Sequence, residues 1–242
     1  MKQKRSLGQN FFINKNLGEY IVNKVVESRS DFLIEIGPGT GFFTQMLITH
    51  FQNILLIEKD DALAKELSLK FPSTKVIPGD FLQFNLNSLK EDKWMYFGSL
   101  PYNVSKPIIY KIISSERFYN KSFFIIQKEV AEKYIYRKPY SMLSLITALY
   151  ADCEKILDIS PESFKPRPNV ISSLISFTPI RSSFQELARI ESLITLSFRH
   201  PRKNLYNNLR NTPFEKGSHL FKTMRPSQLS LEEYKKILNY SS

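Results

Sequence analysis

The chain has 242 residues, of which 42% are hydrophobic, enough to bury the core of one large domain or of a domain with a small appendage. Its 34 Lys and Arg residues exceed the 23 Asp and Glu residues, giving a net charge of +11. Basic side chains release the counterions condensed on phosphates, so this excess favours an acidic polymer as partner; a charge that serves only solubility is the alternative. No apolar run approaches the ~18 residues of a membrane span, and the opening MKQKRSLGQNFF lacks the apolar segment of a secretory signal. We therefore expect a cytoplasmic protein without a membrane partner.

Cysteine and histidine usage argues against a metal site. Cys153 is the single cysteine, so internal disulfides are excluded, and we expect it to be a buried helix residue. His50, His200 and His219 are scattered and show no HxxxH or CxxC spacing. The sequence therefore predicts neither a zinc site nor a Cys/His nucleophile.

In chain order, the first predicted element is an amphipathic helix, in which Leu17, Ile21 and Val25 recur at helical spacing. Short apolar runs bounded by Gly, Pro or acidic residues then predict strands, with segments of helical periodicity between them. The strands are FLIEI (32–36), ILLIE (54–58), KVI (75–77), WMYF (94–97), SFFIIQ (122–127) and VISSLISF (170–177), and the helices are GFFTQMLITHF (41–51), DDALAKELSLKF (60–71) and SMLSLITALYADC (141–153). This alternation predicts an α/β fold with a parallel sheet covered on both faces.

A domain boundary is predicted near residue 180, because the strand pattern stops after TPIRSS. The segments beyond it, including QELARIESLITLSF and SLEEYKKIL, carry helical periodicity alone. We therefore expect a first domain over 1–180 and a small all-helical domain over 181–242.

The run IEIGPGTGFFT at 34–44 predicts a strand, a glycine turn and a helix start. Gly37, Gly39 and Gly41 permit positive φ and let a ligand approach the backbone, and the following helix offers free N–H groups. Their GxGxG spacing is tighter than the GxGxxG of dinucleotide-binding proteins, and no Walker lysine follows for a triphosphate. The turn alone is weak evidence for a nucleotide site.

Three acidic residues, Glu35, Glu58 and Asp80, stand at the ends of successive predicted strands, beside one cleft. Glu58 lies about twenty residues after the glycine turn, where an acidic side chain binds both hydroxyls of a ribose. Asp80, in IPGDF, can accept a hydrogen bond from an adenine amino group or close the pocket. An acidic pocket disfavours a polyphosphate and suits a cationic nucleoside, which favours S-adenosylmethionine as cofactor. For each acid taken singly, an ordinary solvated carboxylate is the alternative.

The stretch FGSLPY at 97–102 ends the next predicted strand. Methyl transfer to an exocyclic amine requires the N–H bonds to be held, because the nitrogen lone pair is delocalised into the ring and must be directed at the methyl carbon. The side chain of Ser99 and the carbonyl of Leu100 can each accept one amine hydrogen. Pro101 fixes the backbone, and Tyr102 can stack on a base that has left its helix. A proline turn with Tyr102 in the core is the structural alternative.

Ordered motifs cover nearly the whole chain. They are GQNFF (8–12), IEIGPGTG (34–41), IEKD (57–60), GDF (79–81), SLPYNVSKP (99–107), IIQKEVAEKY (125–134), FKPRPNVISS (164–173), SFRHPRKNLYNNLR (197–210) and SQLSLEEYKKI (227–237). Together they resemble the motifs of the ribosomal RNA adenine N6-dimethyltransferases of the KsgA type. Erm-type macrolide-resistance enzymes resemble the front half but as a rule lack the helix matched here by PRKNLYNNLR.

The resemblance implies a Rossmann-like class I methyltransferase fold, dependent on S-adenosylmethionine and on no metal, with a small helical C-terminal domain. It also implies two successive methyl transfers to each of two adjacent adenines in a hairpin of small-subunit ribosomal RNA, and a role in ribosome biogenesis. The implied cofactor-binding residues are Asn10, Phe12, Gly37 at the methionine end, Glu58 at the ribose, Asp80 at the adenine and Ser99, and the implied target-adenine residues are Ser99, Leu100, Pro101 and Tyr102.

Two positions depart from the family pattern. Ser99 stands where the family normally has the Asn of NLPY, and Pro201 precedes Arg202 and Lys203 where the family often has RRK. A serine hydroxyl is shorter than an amide and differs in donor and acceptor character. Two alternatives to the dimethyltransferase are therefore kept: an RNA-binding ribosome-assembly factor with weak or lost methylation, and an Erm-type enzyme acting on large-subunit RNA.

Basic residues predict the RNA-binding surface. The clusters are Lys2, Lys4 and Arg5; Lys133, Arg137 and Lys138; Lys165 and Arg167; and Arg199, Arg202, Lys203 and Arg210, with Tyr134, Tyr136 and Tyr140 interleaved. We expect Arg202, Lys203 and Arg210 to contact phosphates and the tyrosines to stack on unpaired bases, whether the partner is naked RNA or a pre-assembled small subunit. Each cluster alone is more typical of a solvated face than of a binding site. With no exposed apolar stripe evident, we expect a monomer.

Overall fold

The structure is a computed structural model that describes residues 10–90, 93–180 and 184–241. The strands are β1 (Phe11–Phe12), β2 (Phe32–Ile36), β3 (Asn53–Glu58), β4 (Lys75–Pro78), β5 (Trp94–Ser99), β6 (Ser122–Gln127), β7 (Ala151–Ile159), β8 (Phe164–Lys165) and β9 (Ser172–Pro179). The α-helices are α1 (Lys15–Val26), α2 (Thr44–Leu47), α3 (Asp61–Lys70), α4 (Ser105–Ile113), α5 (Lys128–Tyr134), α6 (Met142–Tyr150), α7 (Phe184–Ser197), α8 (Leu205–Leu209), α9 (Glu215–Ser218) and α10 (Leu231–Tyr240).

The main sheet of the described chain has seven strands in the order β4-β3-β2-β5-β6-β9-β7. Strands from β4 to β6 pair in parallel, and β9 pairs antiparallel with β6. Glu35 on β2 lies opposite Phe97 on β5, and Glu58 on β3 lies opposite Pro78 on β4. The carboxyl ends of these strands therefore meet at one edge, and the strand order reverses between β2 and β5, where ligands of α/β sheets bind. The predicted α/β class is confirmed, but the sheet is mixed and not wholly parallel, because β9 runs antiparallel to β6.

Helix α1 packs on the sheet through its apolar face. The side chain of Asn14 caps it by accepting a hydrogen bond from the Leu17 N–H at 3.1 Å. Ile21 and Val25 are both 0% exposed and belong to the main apolar core, as their spacing predicts. Burying an aliphatic side chain contributes about 1.5–3 kcal/mol, so this face holds the helix on the sheet.

Two predicted elements differ in extent. The helix predicted over 41–51 is reduced to α2, and Gly41, with a φ of +76°, is excluded from a helix. The helix predicted over 141–153 ends at Tyr150, and the extended Ala151 begins β7. Cys153 therefore lies in a strand and is only half-buried, so its prediction as a buried helix residue is wrong.

The chain divides into two compact units, Met1–Glu132 with Glu154–Pro179, and Lys133–Cys153 with Ile180–Ser242. One break coincides with the boundary expected near residue 180. The segment 133–153, which the sequence placed in the first domain, instead groups with the C-terminal residues. The second unit contains α6 to α10 and no strand of the main sheet apart from the first residues of β7, among its described residues.

The second unit has its own core. Leu193, Ile194 and Tyr234 are each 0% exposed, and the Tyr234 hydroxyl donates to the Pro226 carbonyl at 3.1 Å. At the start of α10, Ser230 and Glu233 form a reciprocal capping box. Across the described ranges of both units, no helix is long and apolar enough to cross a membrane.

Candidate active site

A cavity of about 210 Å³ opens at the edge where β2, β3, β4 and β5 end. Its walls come from β1, from the turns after these four strands, from the start of α4 and from β8. It brings together the residues that the sequence assigns to cofactor and target adenine, namely Asn10, Phe12, Gly37, Glu58, Asp80, Ser99, Leu100, Pro101 and Tyr102. The described part of the first unit thus gathers both predicted sets at one cavity.

The glycine turn leaves backbone open to the cavity. Gly37 has a φ of +64°, and a Cβ built on it would meet no atom within 4 Å. Packing therefore does not require a glycine there, whereas a Cβ would fill cavity space that a ligand needs. At Gly39, which has a φ of +58°, a Cβ would lie 3.0 Å from the Phe11 ring. The cavity fits a ligand that approaches the main chain at Gly37.

Glu58 is 5% exposed and lies under the turn. Its Oε2 accepts from the Gly39 N–H at 3.0 Å, and its Oε1 accepts from the Asp60 N–H at 2.9 Å. Burial raises the pKa of Glu58 and these two backbone donors oppose the shift. Each carboxylate oxygen keeps a further lone pair. A cis-diol in the cavity is the kind of donor that these lone pairs suit.

Glu35 also lines the cavity, and its carboxyl group is hydrogen-bonded within the protein. The Thr44 hydroxyl donates to its Oε2 at 2.6 Å, and the residue is 2% exposed. Burial raises the pKa of Glu35 to about 8, so it holds a proton at neutral pH. The expectation of three carboxylates at successive strand ends thus holds in position, but Glu35 is neutral at neutral pH.

Asp80 is held on both oxygens. Lys59 Nζ lies 2.8 Å from Oδ2, and the Leu82 N–H donates to Oδ1 at 2.9 Å. The hydrogen bond from Lys59 lowers the pKa of Asp80, so the carboxylate is ionised. Lys59 is a site residue that sequence reasoning missed, although it stands inside the IEKD motif.

The SLPY segment continues from β5 into a loop before α4. The Leu100 N–H donates to the Ile125 carbonyl at 3.0 Å, and the Leu100 side chain is 2% exposed. The Leu100 side chain is therefore withheld from a ligand by burial, and its N–H is already used within the fold. The Tyr102 hydroxyl lies 2.8 Å from the Ser172 hydroxyl. Its ring is half-buried against the cavity, in contrast to the core position that the structural alternative required.

The predicted phosphate contacts lie in the second unit. Arg202, Lys203 and Arg210 are all exposed. The turn that carries Arg202 and Lys203 is bound by the buried side chain of Asn208. Its amide oxygen accepts from the His200 N–H at 2.9 Å, and its amide nitrogen donates to the His200 and Lys203 carbonyls at 3.1 and 3.4 Å. Sequence reasoning also missed Asn208, which fixes the shape of this turn.

The tyrosines expected to stack on bases separate into two groups. Tyr134 is 1% exposed, so its prediction as a stacking residue is wrong. Tyr136 is 41% exposed and its ring lies 4.7 Å from that of the half-buried Tyr140. The other basic residues of the predicted surface are exposed, namely Lys133, Arg137, Lys138, Lys165, Arg167 and Arg199; Lys2, Lys4 and Arg5 lie outside the described residues.

Comparison with known proteins identifies the family. A family model described as "Ribosomal RNA adenine dimethylase" matches residues 1–241. The chain belongs to the ribosomal RNA adenine dimethylase family. The ribosomal RNA small subunit methyltransferase A of Francisella tularensis subsp. novicida is 33% identical, over 100% of this chain and 98% of the relative. The predicted family, enzyme class and S-adenosylmethionine cofactor are confirmed.

Two solved structures share the fold. The crystal structure of a dimethyladenosine transferase from Plasmodium falciparum superposes with a TM-score of 0.79 at 22% identity and covers 95% of this chain and 96% of the other. The crystal structure of the 23S rRNA methyltransferase ErmE gives a TM-score of 0.74 at 22% identity, covering 96% and 99%. The predicted Rossmann-like methyltransferase fold is confirmed. Because both structures match over nearly their whole lengths, the fold alone does not separate the two substrate classes.

Proposed function

We propose that the protein dimethylates N6 of two adjacent adenines in a hairpin of small-subunit ribosomal RNA. The observation that carries the proposal is the single cavity that joins the glycine turn and the Glu58 and Asp80 carboxylates to the SLPY segment. The name of the Francisella relative, a small-subunit methyltransferase, supports this subunit over the large one. The ordered motifs of the C-terminal helices support it as well.

The cofactor site follows from the residues that line the cavity. Gly37 would approach the methionine end, Glu58 would accept from the ribose hydroxyls, and Asp80 would accept from the adenine amino group. Asn10 and Phe12 would close the site from the β1 side. When bound, S-adenosylmethionine supplies an electrophilic methyl group on its sulfonium. The ionised Asp80 carboxylate favours a cationic ligand over a polyphosphate.

The target adenine would lie beside Ser99. The Ser99 side chain and the Leu100 carbonyl would each accept one hydrogen of the amino group, which directs the nitrogen lone pair toward the cofactor. Pro101 would fix that carbonyl, and the Tyr102 ring would stack on the extruded base, an interaction worth ~1–3 kcal/mol per base. The Ser172 hydroxyl would keep the Tyr102 ring in its stacking orientation.

RNA contacts are assigned to the second unit, in line with the helical RNA-binding domain expected over 181–242. Arg202 and Lys203 would bind phosphates from a turn whose shape Asn208 holds, and Arg210 would bind from the end of α8. Such contacts orient RNA and carry no sequence information. The partner is small-subunit RNA, free or in an assembling particle. We also propose that the protein is a cytoplasmic monomer that takes part in ribosome biogenesis.

An assembly factor with reduced methylation is the second candidate, because Ser99 replaces the asparagine of the family motif. A hydroxyl reaches less far than an amide and holds the amine less firmly. Under this candidate the cofactor and RNA bind, yet the second methyl transfer is slow. An Erm-type activity is the third candidate, and the name of the Francisella relative, a small-subunit methyltransferase, disfavours it.

The test is transfer of labelled methyl from S-adenosylmethionine to purified under-methylated small subunits, followed by nucleoside analysis. Purified large-subunit RNA serves as the parallel substrate. We expect N6,N6-dimethyladenosine in the small-subunit RNA alone. Monomethyl product, or none, with intact binding of cofactor and RNA would favour the assembly factor, and label in the large-subunit RNA would favour the Erm-type activity.

A further inference from the structure

One ammonium group holds the turn that follows β4. Lys111 Nζ, on α4, donates to the carbonyl oxygens of Phe81, Leu82 and Phe84 at 3.0, 2.6 and 2.6 Å. A lysine ammonium has three N–H donors, so these contacts use all of them. The acceptors lie 27 to 30 residues away in sequence, and the contact therefore ties two separate segments together.

The acceptors share a physical feature. The Gln83 N–H donates to the Asp80 carbonyl at 2.9 Å, and the Phe84 N–H donates to the Phe81 carbonyl at 3.1 Å, so residues 80–84 form a tight helical turn. The Phe81 carbonyl already accepts from the Phe84 N–H within the turn, whereas the Leu82 and Phe84 carbonyls stand at its C-terminal end, where carbonyls carry partial negative charge. Lys111 satisfies these carbonyls together, as a cation does at a helix C-terminus.

The opposite end of the same turn faces the cavity. Gly79, Asp80 and Phe81 line it, and the Leu82 N–H holds Asp80 Oδ1 at 2.9 Å. Ile108, one helical turn before Lys111, lines the cavity as well, and α4 begins directly after the SLPY segment. Lys111 thus connects the helix behind the target-adenine loop with the turn that presents Asp80.

We propose that Lys111 is a positioning residue for recognition of the cofactor's adenine. It gathers three carbonyls, sets the pitch of the 80–84 turn and so places the Asp80 carboxylate at the adenine edge. This inference rests on the assignment of Asp80 to that edge. It goes beyond the proposed methyl transfer, since it concerns how the cofactor is distinguished from related nucleosides.

A direct effect of the Lys111 charge on the cofactor predicts a different result, namely a change in the ratio of the affinities for S-adenosylmethionine and S-adenosylhomocysteine. S-adenosylmethionine is cationic at sulfur and S-adenosylhomocysteine is not, so removal of a repelling charge would tighten the first relative to the second. Loss of a correctly placed Asp80 weakens both ligands equally. It also reduces the preference for S-adenosylhomocysteine over S-inosylhomocysteine, which lacks the adenine amino group.

The experiment measures the Kd of all three ligands by calorimetry on the full chain. Lys111→Met is expected to weaken both adenosyl ligands roughly 5- to 20-fold with an unchanged ratio, and to lower the preference over S-inosylhomocysteine. Lys111→Arg keeps the charge but offers a planar set of donors, and we expect it to lose part of the affinity for both adenosyl ligands. If Lys111→Met does not fold, Lys111→Arg takes its place in the comparison. Ile112→Val, a buried change on the same helix, is the control for lower stability and is expected to leave the preference intact.

Asp80→Asn is measured in parallel. A reduced preference over S-inosylhomocysteine in both Asp80→Asn and the Lys111 variants would support the proposal. An unchanged preference in Asp80→Asn, or a loss in Lys111→Met no larger than in Ile112→Val, would overturn it, as would tighter binding of S-adenosylmethionine relative to S-adenosylhomocysteine. Methyl transfer to RNA is scored separately, so failure of this inference leaves the proposed activity standing.

Discussion

Glu58 Oε2 lies 3.0 Å from the backbone nitrogen of Gly39, so the side chain proposed to hold the ribose also fixes the glycine turn. A second backbone donor, the Asp60 N–H, lies 2.9 Å from Oε1. One carboxylate thereby sets the distance between the two parts of the cofactor site. Its replacement should disturb both parts together.

Glu58→Gln is expected to weaken binding of S-adenosylhomocysteine roughly 10- to 100-fold, because an amide donor replaces one of the two acceptor oxygens and faces a backbone N–H. Calorimetric titration of the purified chain measures the effect. Glu66→Gln, at an exposed position on α3, is the control and should bind as the unchanged protein does. Equal affinities for both variants would contradict the ribose assignment.

Ser99→Ala is expected to lower kcat about 10- to 100-fold, because one of the two acceptors for the target amine is removed from the transition state. Ser99→Asn restores an acceptor and should keep kcat within about fivefold of the unchanged enzyme. Single-turnover methyl transfer, with cofactor Kd measured alongside, separates chemistry from binding. A kcat that survives Ser99→Ala would remove Ser99 from the chemistry.

Removing either partner of the Tyr102–Ser172 hydrogen bond should have the same effect. Tyr102→Phe and Ser172→Ala are each expected to slow methyl transfer about 3- to 10-fold, and the double variant should be no slower than either, because the two hydroxyls act as one contact. Tyr102→Ala also removes the stacking ring and should be slower still. Strictly additive losses in the double variant would show that the two hydroxyls act separately.

The buried Glu35 makes stability depend on pH. Its folded pKa is about 8 against an ordinary value of 4.5, so between these values the folded state binds a proton that the unfolded state has lost. The free energy of unfolding therefore falls as pH rises through this window, by at most about 1.4 kcal/mol per pH unit. Glu35→Gln should flatten the profile, with a larger gain in stability at pH 8 than at pH 5, both measured by urea unfolding. Parallel profiles for the two proteins would contradict the protonated state of Glu35.

Asn208 should affect RNA binding without changing charge. Asn208→Ala is expected to weaken binding of the target hairpin about 3- to 10-fold, because Arg202 and Lys203 lose their fixed turn. Arg202→Ala should weaken it as well and reduce the slope of log affinity against log salt by about one. Lys235→Ala, an exposed charge on α10, is the control for net charge. A control as weak as Arg202→Ala would assign the effect to overall charge.

The strands that position the site were predictable because they are buried on both faces. FLIEI is apolar apart from Glu35, SFFIIQ contains four consecutive apolar residues, and both strands are almost wholly buried. Strand β7, ADCEKILDI, lies at the edge of the sheet, and most of its residues are exposed or half-buried. It carries no apolar run, and sequence reasoning extended the preceding helix across Cys153.

The candidate site was predictable where a residue type is tied to a backbone position. Gly37 and Glu58 stand at fixed distances from a strand end, and the sequence alone places them at the cavity. The protonation of Glu35 depends on its burial, which outweighs the opposing hydrogen bond from Thr44. The contact of Lys111 depends on a fold that brings α4 beside the 80–84 turn. No local sequence pattern predicts the protonation of Glu35 or the contact of Lys111, because both arise from packing between distant segments.

The ribbon of β1 and β8 has a consequence for how the enzyme is made. Asn14 and Ser163 are 149 residues apart and meet beside it, and Phe12 packs edge-on against Phe164 at 5.1 Å. The segment that completes the cavity wall, β8, is thus synthesised long after the carboxyl ends of β2, β3, β4 and β5. At roughly 5–20 residues per second, the nascent chain spends several seconds with every strand-end residue translated and the cavity still open on that side. The cavity can therefore gain its full set of walls only after β8 has been synthesised.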